Sequence, residues 1–211
     1  MTVAAGGDGR VRCGWADFTG PRWDAADSVL YRTYHDTEWG RPLHDARDLF
    51  ERMSLEAFQS GLSWLTILRK REAFRAGFAH FEADQLARFG EAEVTALLAD
   101  AGIIRHRGKI EAAIANARAL VALWERGGSL AELIWSFEPA RGRVVAAFGD
   151  VPAQTPESVA LSRELKKQGF RFVGPTTIYA AMQAMGVVND HLTGCWVRDA
   201  CESSRAAATF R

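Results

Sequence analysis

Residues 94–124 read VTALLADAGIIRHRGKIEAAIANARALVALW and predict two helices joined by a short basic turn. Apolar residues before the turn form an i, i+3, i+4 stripe that stops at Gly102. After the turn, apolar residues recur on one helical face as far as Trp124. This order is that of a helix-hairpin-helix, whose exposed amides can bind a phosphate. An ordinary pair of helices with a solvated basic turn fits the same pattern.

The residues outside this stretch predict an all-α fold. Asp45 and Ser63 are placed to cap helices, and Thr155 with Pro156 supplies a cap and a first-turn proline. Ser129 and Glu132 form a capping box. Alternating strand patterns are nearly absent. We expect a single domain of two helical lobes over residues 12–201, with flexible tails at residues 1–11 and 202–211.

Composition limits the classes of function. The chain has 211 residues, of which 48% are hydrophobic, and its 26 basic and 26 acidic side chains cancel. Nucleic-acid binding therefore requires a local basic patch. No apolar run approaches the roughly 20 residues that span a bilayer, so we expect no membrane partner. The start of the chain lacks a signal-peptide core, and we expect a cytoplasmic protein.

Other absences in the sequence narrow the prediction further. No glycine-rich phosphate loop or dinucleotide fingerprint occurs, so no nucleotide cofactor is expected. Three cysteines are too few for a disulfide framework. No feature of the sequence indicates an oligomer, and we expect a monomer.

Metal-ligand residue types lie at both ends of the chain: Cys13, His35, His191 and Cys195. Two thiolates and two imidazoles match the closed tetrahedral set of a structural zinc. Buried cysteines with solvated histidines are the alternative. If zinc is bound, four protein ligands leave no open position, so the metal would join the two ends of the chain and would not activate water.

Aromatic residues crowd the first third of the chain: Trp15, Trp23, Tyr31, Tyr34, Trp39 and Trp64. Core packing accounts for any one of them. Polar residues are interleaved, as in the segment Tyr34-His35-Asp36, and a core helix would lack them. Aromatic walls with a carboxylate suit a flat cationic ligand such as an alkylated purine.

Glu56 is the candidate carboxylate. It lies in an apolar neighbourhood between Met53, Leu55 and Phe58. Such a residue is either at a helix edge in water or a buried acceptor with a function. Gly61 follows and interrupts two helical segments, which allows close approach of the backbone to a ligand.

Together these segments resemble the bacterial DNA-3-methyladenine glycosylase I family. The matching segments are residues 12–15, 31–36, 38–40, 55–56, 59–64, 100–110, 169–174 and 188–191, within a span of residues 12–196. The resemblance implies a helix-hairpin-helix glycosylase architecture with the base pocket between two lobes. It also implies base-excision repair, in which double-stranded alkylated DNA is the partner, 3-methyladenine is the product and an abasic site remains.

The resemblance assigns roles to individual residues. Cys13, His35, His191 and Cys195 would hold a structural zinc. Glu56 would read the methylated adenine beside Tyr34, and Trp64 would stack on the base. The remaining aromatic walls would be Trp15, Trp39 and Tyr31. The expected DNA contacts are Gly61 and Leu62 at the flipped base and Gly102, Arg105, Arg107, Gly108 and Lys109 at the backbone.

Several details of this chain bear on those roles. Glu111 and Asn116 follow the hairpin where related lyases carry a lysine or an aspartate, so we expect a monofunctional glycosylase. The stretch between Trp15 and Tyr31, which includes Pro21 and Trp23, is longer than the family pattern and could alter a lid. Ala57-Phe58 could alter the pocket's width.

Three other classes of protein fit parts of the pattern. A non-catalytic, zinc-stapled binder of damaged DNA would keep the pocket and hairpin but release no base. A zinc hydrolase would need an open metal position, which a Cys2His2 set does not leave. A purely structural helical domain would not place Glu56 among apolar residues near six clustered aromatic residues.

A glycosylase is also expected to associate with the nucleoid when it acts.

Overall fold

The computed structural model describes residues 2–16, 24–140 and 143–207. Within these ranges the chain forms ten α-helices and one two-stranded sheet. The strands are β1 (Val3–Ala5) and β2 (Val11–Cys13), and the helices are α1 (Ala25–Thr37), α2 (Ala46–Gln59), α3 (Trp64–Gly77), α4 (Ala83–Leu86), α5 (Glu91–Ala99), α6 (Arg107–Glu125), α7 (Leu130–Trp135), α8 (Pro156–Lys167), α9 (Pro175–Ala184) and α10 (Arg198–Ala207). The fold is therefore mostly helical, as the sequence predicts.

The helix starts show which local signals are reliable. Asp45, Ser63, Ser129 and Thr155 all cap helices through their side chains, so these caps are confirmed. At Ser129 the described structure contains only this half of the predicted capping box. Periodicity does not reveal α1, although Asp24 and Asp27 form a capping box at its start. Its buried residues are largely polar and titratable, because this helix serves two sites and not only the apolar core.

Helix α2 is central to the molecule. It packs against α3, α6, α7 and α9, and ten consecutive residues of it, 49–58, are buried. The main apolar core surrounds it and includes Phe50, Phe58 and Ile110, each almost fully buried. Residues of α2 that are polar, such as Glu56, are thus forced into the interior by the packing of their helix.

Both ends of the described chain are structured, in contrast to the predicted tails. Val3 pairs with Cys13 in the antiparallel sheet, so the first residues fold back onto β2. Cys201 and Arg205 of α10 are buried, although residues beyond 201 were expected to form a tail. Each end is held by partners far away in sequence, which periodicity cannot reveal. No helix in the described ranges is both long and apolar enough to cross a membrane.

Candidate functional site

The predicted metal ligands come together as one buried cluster. Ligand atoms of Cys13, His35, His191 and Cys195 all lie within 4.8 Å of one another. Cys195 Sγ is 3.4 Å from His35 Nε2 and 3.6 Å from His191 Nδ1, and Cys13 Sγ is 3.6 Å from His191 Nδ1. Tetrahedral zinc with two sulfur and two nitrogen ligands requires sulfur–nitrogen edges of about 3.6 Å. The cluster could therefore hold a metal ion without rearrangement.

The groups around the cluster fix the orientation of its histidines. His35 Nδ1 lies 2.8 Å from Asp36 Oδ1, and His191 Nε2 lies 3.0 Å from the carbonyl oxygen of Trp39. These are the partners that metal-bound imidazoles use to hold one tautomer. A Cβ atom at Gly40 would lie 2.8 Å from His191 Nε2, and the φ angle of this residue is +78°, so glycine is required there.

A cavity of about 530 Å³ lies beside the cluster. All six residues predicted to bind the base line this cavity: Trp15, Tyr31, Tyr34, Trp39, Glu56 and Trp64. They come from the turn after β2, from α1 and the turn after it, from α2 and from α3. The tertiary structure thus converts residues spread over a long stretch of sequence into one aromatic wall with a carboxylate.

Glu56 is buried, with 6% of its surface exposed, which rules out the exposed helix-edge alternative. No hydrogen bond joins its carboxylate to any described residue. Burial raises the pKa of Glu56 to about 8, and the positive charge of Arg52 opposes that shift. A carboxyl group without an internal partner, lining a cavity, is available to a ligand.

Two neighbours of Glu56 also lack partners. The indole N–H of Trp64 is buried without a hydrogen-bond acceptor in the described structure. The Tyr34 hydroxyl makes no hydrogen bond to the described residues either, and burial raises its pKa well above the usual range. The centroids of these two rings lie 5.2 Å apart. Native proteins seldom leave such groups unpaired unless a ligand completes them.

The cavity and the Cys–His cluster share two tryptophans. The Trp15 ring packs edge-on against His35 at 5.1 Å and against Tyr31 at 5.4 Å. The Trp39 ring packs against His191 at 4.6 Å and against Trp15 at 5.0 Å. The cluster therefore holds part of the aromatic wall in place.

The cavity is also lined by Tyr179, Gln183 and Asp190, which the sequence did not identify as site residues. Asp190 accepts hydrogen bonds from the Tyr179 hydroxyl at 2.5 Å and from Gln183 Nε2 at 2.8 Å. The same Tyr179 oxygen accepts from Arg143 at 2.7 Å. Tyr179 and Gln183 are four residues apart on one face of α9, a spacing that could have identified them.

The predicted DNA-contacting turn joins α5 to α6. Arg105 and Arg107 are exposed, and Arg107 pairs with Glu91 at 2.9 Å and Glu111 at 3.3 Å. Gly108 lies in the first turn of α6, where amides have no intrahelical acceptor. Gly102 was also expected to contact the DNA backbone, but its amide donates a hydrogen bond to Asp100 Oδ1 at 2.6 Å. A Cβ atom there would lie 2.9 Å from Ala73, so this glycine permits close packing on α3.

Lys109 was predicted to contact the DNA backbone, but its side chain points into the protein. It is buried, and its Nζ donates to the carbonyl oxygens of Phe58 at 2.9 Å and Ser60 at 2.6 Å. These carbonyls lie at the end of α2, just before Gly61 and the 41%-exposed Leu62. Lys109 therefore ties the α5–α6 turn to the Gly61–Leu62 turn, and in this arrangement it does not present its charge to solvent.

The structure also shows what Phe58 and Asn116, two residues singled out in the sequence, contact. Phe58 packs against Phe74 and Phe78 in the core and does not line the cavity, so it does not narrow it. Asn116 is bonded to the backbone of Arg171 through both its amide atoms. Pro21 and Trp23 lie outside the described residues.

Comparison with known proteins agrees with this geometry. The profile of the methyladenine glycosylase family matches residues 23–199. This chain belongs to that family. The DNA-3-methyladenine glycosylase 1 of Escherichia coli (strain K12) is 46% identical over 186 residues, which is 87% of this chain and 95% of that protein.

Solved structures of this glycosylase family share the fold. A crystal structure of 3-methyladenine DNA glycosylase I is 48% identical, with a TM-score of 0.80, over 88% of this chain and 98% of that chain. A tyrosine-to-phenylalanine variant of 3-methyladenine DNA glycosylase I, solved in complex with 3-methyladenine, is 30% identical. Its TM-score is 0.79, over 89% of this chain and 97% of that chain.

Proposed function

We propose that this glycosylase releases 3-methyladenine from alkylated double-stranded DNA and leaves an abasic site, as the first step of base-excision repair. The observation that carries the proposal is the buried Glu56 carboxyl group, which lines an aromatic cavity and has no hydrogen-bond partner among the described residues. Family membership supplies the reaction, and this cavity supplies a place for the flipped base.

Charge selects the base in this proposal. Methylation at N3 makes the adenine of the nucleotide cationic, and a carboxylate in a water-poor cavity attracts a cation more strongly than a neutral base. The aromatic rings of Trp15, Trp39 and Trp64 add stacking and cation–π attraction. The unpaired Tyr34 hydroxyl and Trp64 N–H would complete their hydrogen bonds with groups of the bound nucleotide.

The chemistry requires little acid catalysis. When the bond between the sugar C1′ and the base nitrogen breaks, its electron pair neutralises the cationic base, which leaves without protonation. The oxygen of a water molecule then bonds to C1′, and one proton is released. No lysine takes part in this scheme, and the side chain of Asn116 is engaged by Arg171, so we propose a monofunctional hydrolase.

We propose that the DNA backbone is bound by the α5–α6 turn, used as a helix-hairpin-helix. Arg105 and Arg107 are exposed there, and the start of α6 offers free amides near Gly108. Leu62, which is exposed beside Gly61, would occupy the space left by the flipped base. Lys109 would set the distance between these two contacts.

We propose that Cys13, His35, His191 and Cys195 bind one zinc ion. The sulfur–nitrogen distances and the oriented histidines fit it. A zinc with four protein ligands supplies structural cross-linking and no reactive water. Its contribution to function would be to hold the two ends of the chain together and to fix Trp15 and Trp39 at the cavity.

Base release tests the proposed function directly. The protein is incubated with DNA treated with a methylating agent, and the released bases are separated and quantified. We expect 3-methyladenine in the supernatant and a matching number of abasic sites in the DNA. Tight binding to methylated DNA without any released base would contradict the proposal and would favour a non-catalytic damage binder.

A further inference from the structure

Arg52 is a buried cation next to a site that is proposed to bind a cation. Only 9% of its surface is exposed. It lies on α2 four residues before Glu56, so the two side chains leave the same face of the helix. Its guanidinium carbon is 5.2 Å from the centroid of the Tyr34 ring. Arg52 therefore contacts one residue that lines the cavity and lies one helical turn from another.

The positive charge of Arg52 is not fully neutralised by its neighbours among the described residues. Its Nη2 donates to Glu38 Oε2 at 3.0 Å, but the same oxygen also accepts from Arg71 Nη1 at 2.6 Å. Two guanidinium groups thus share one carboxylate and retain one positive charge. Arg52 Nη1 is buried without a hydrogen-bond partner in the described part of the chain. A buried charge in this state is costly, which indicates a use beyond packing.

The other charged and titratable groups near Glu56 do not take over this role. Tyr31 and Tyr34 of α1 are neutral phenols whose pKa values are raised by burial. Arg71 of α3 donates a hydrogen bond to Glu38, and Lys109 of α6 donates hydrogen bonds to backbone carbonyls. The other titratable groups that line the cavity are Tyr179 and Asp190, which bond to each other. Among the described residues, Arg52 is the cation whose field acts on Glu56.

We propose that Arg52 is a positioning residue for base recognition, which holds the plane of the Tyr34 ring and favours the ionised form of the Glu56 carboxyl group, the form that attracts a cationic base. This inference rests on the proposed function and adds a determinant of its pH range. Without the guanidinium, burial alone would act on Glu56, and the carboxyl group would stay protonated to a higher pH. A protonated Glu56 offers no charge to a cationic base.

The competing explanation is that Arg52 only fastens α2 to the turn after α1 through Glu38. That structural role and the proposed one predict different pH profiles. Losing a structural contact lowers base release by the same factor at every pH, or unfolds the protein. Losing the charge that acts on Glu56 moves the ascending limb of the profile, because kcat/KM reports the ionisation of groups in the free enzyme.

The test measures kcat/KM for 3-methyladenine release between pH 5.5 and 9.5 for wild type, Arg52→Met and Arg52→Lys. The Arg52→Met limb should lie about one pH unit higher, so release is about 10-fold slower near pH 7 and the difference closes at the alkaline end. Arg52→Lys keeps the charge and should keep the wild-type limb. The matched control is Arg75→Met, which removes another arginine–glutamate pair, with Glu51, outside the cavity. It should leave the limb in place.

Two further measurements separate the possible outcomes. In a Glu56→Gln background, Arg52→Met should produce no shift, because no carboxyl group remains to ionise. A shift in that background, or coincident wild-type and Arg52→Met limbs, would overturn the role of Arg52. If Arg52→Met does not fold, as judged by thermal unfolding, a displaced Arg52→Lys limb would overturn it equally. Absence of base release by wild type at any pH would overturn the proposed function itself.

Discussion

The Cys–His cluster and the aromatic cavity are neighbours that share Trp15 and Trp39, but they differ in how their polar atoms are paired. In the cluster, His35 and His191 each have a partner for the nitrogen that faces away from the thiols. In the cavity, the Glu56 carboxyl group and the Trp64 N–H have none among the described residues.

This difference separates stability from function within one small region. A closed and fully paired cluster lowers the free energy of the folded chain and has nothing left to offer a substrate. An unpaired buried carboxyl group raises that free energy, and binding of a ligand that pairs with it offsets the increase. The cluster is thus expected to respond to mutation through folding, and the cavity through binding and catalysis.

Breaking the cluster should have the largest effect on the protein. Cys13→Ala or Cys195→Ala removes a ligand, and we expect loss of zinc and a fall in the free energy of unfolding of about 3 kcal/mol or more. Elemental analysis and thermal unfolding measure both. Cys201→Ala is the matched control, because Cys201 is buried outside the ligand set and its loss should leave the zinc content unchanged. Wild-type protein purified without zinc would contradict this prediction.

Glu56→Gln should make the protein more stable, but only at higher pH. The pKa of Glu56 is raised from 4.5 to about 8, so the folded state binds this proton more tightly than the unfolded state. The stability contributed by Glu56 is therefore full below about pH 4.5 and is lost as pH rises through 8. We expect equal stability of both proteins near pH 4.5 and an advantage of the variant on the order of 5 kcal/mol near pH 9.

Denaturant unfolding at several pH values measures this change. The exposed Glu111→Gln provides a control with the same chemical change and no burial. A Glu56→Gln advantage that does not depend on pH would contradict the assignment of a buried ionisable group.

The same Glu56→Gln variant should lose discrimination in favour of the cationic base. Glutamine keeps the size of the side chain and one acceptor but removes the charge. We expect a loss of about 2 kcal/mol in preference, which is typical of a charged hydrogen bond. Base release from methylated DNA and binding of free 3-methyladenine measure it. Release and discrimination equal to wild type would show that Glu56 does not read the base.

Changes at the α5–α6 turn should have the smallest effect and should distinguish two kinds of cation. Arg105→Gln with Arg107→Gln should weaken binding to damaged and undamaged duplex alike, by about 1 kcal/mol, with a shallower salt dependence. Lys109→Met should leave the salt dependence of DNA binding unchanged, because the Lys109 ammonium group is buried against backbone carbonyls. It should instead disturb the turn that carries Leu62. An altered base preference in the double arginine variant would contradict a backbone contact.

Local sequence signals determined most of the fold. Caps such as Asp45 and Ser63 act within four residues of themselves, so they can be recognised without knowledge of the rest of the chain. The same locality explains why α1 was missed, since its buried face carries site residues and not an apolar stripe. It also explains why β1 was missed, because a three-residue strand forms only against its partner near Cys13.

The sequence by itself also determined the family and the residues that the cluster and cavity bring together, because a family pattern records residue types at fixed positions. Only the tertiary structure decided their physical state. Burial of α2 on all sides leaves Glu56 and Arg52 in the interior without full pairing among the described residues. Lys109 points inward because its ammonium group binds carbonyl oxygens at the end of α2. Burial and electrostatic fields arise from neighbours distant in sequence, so no local pattern of residues encodes them.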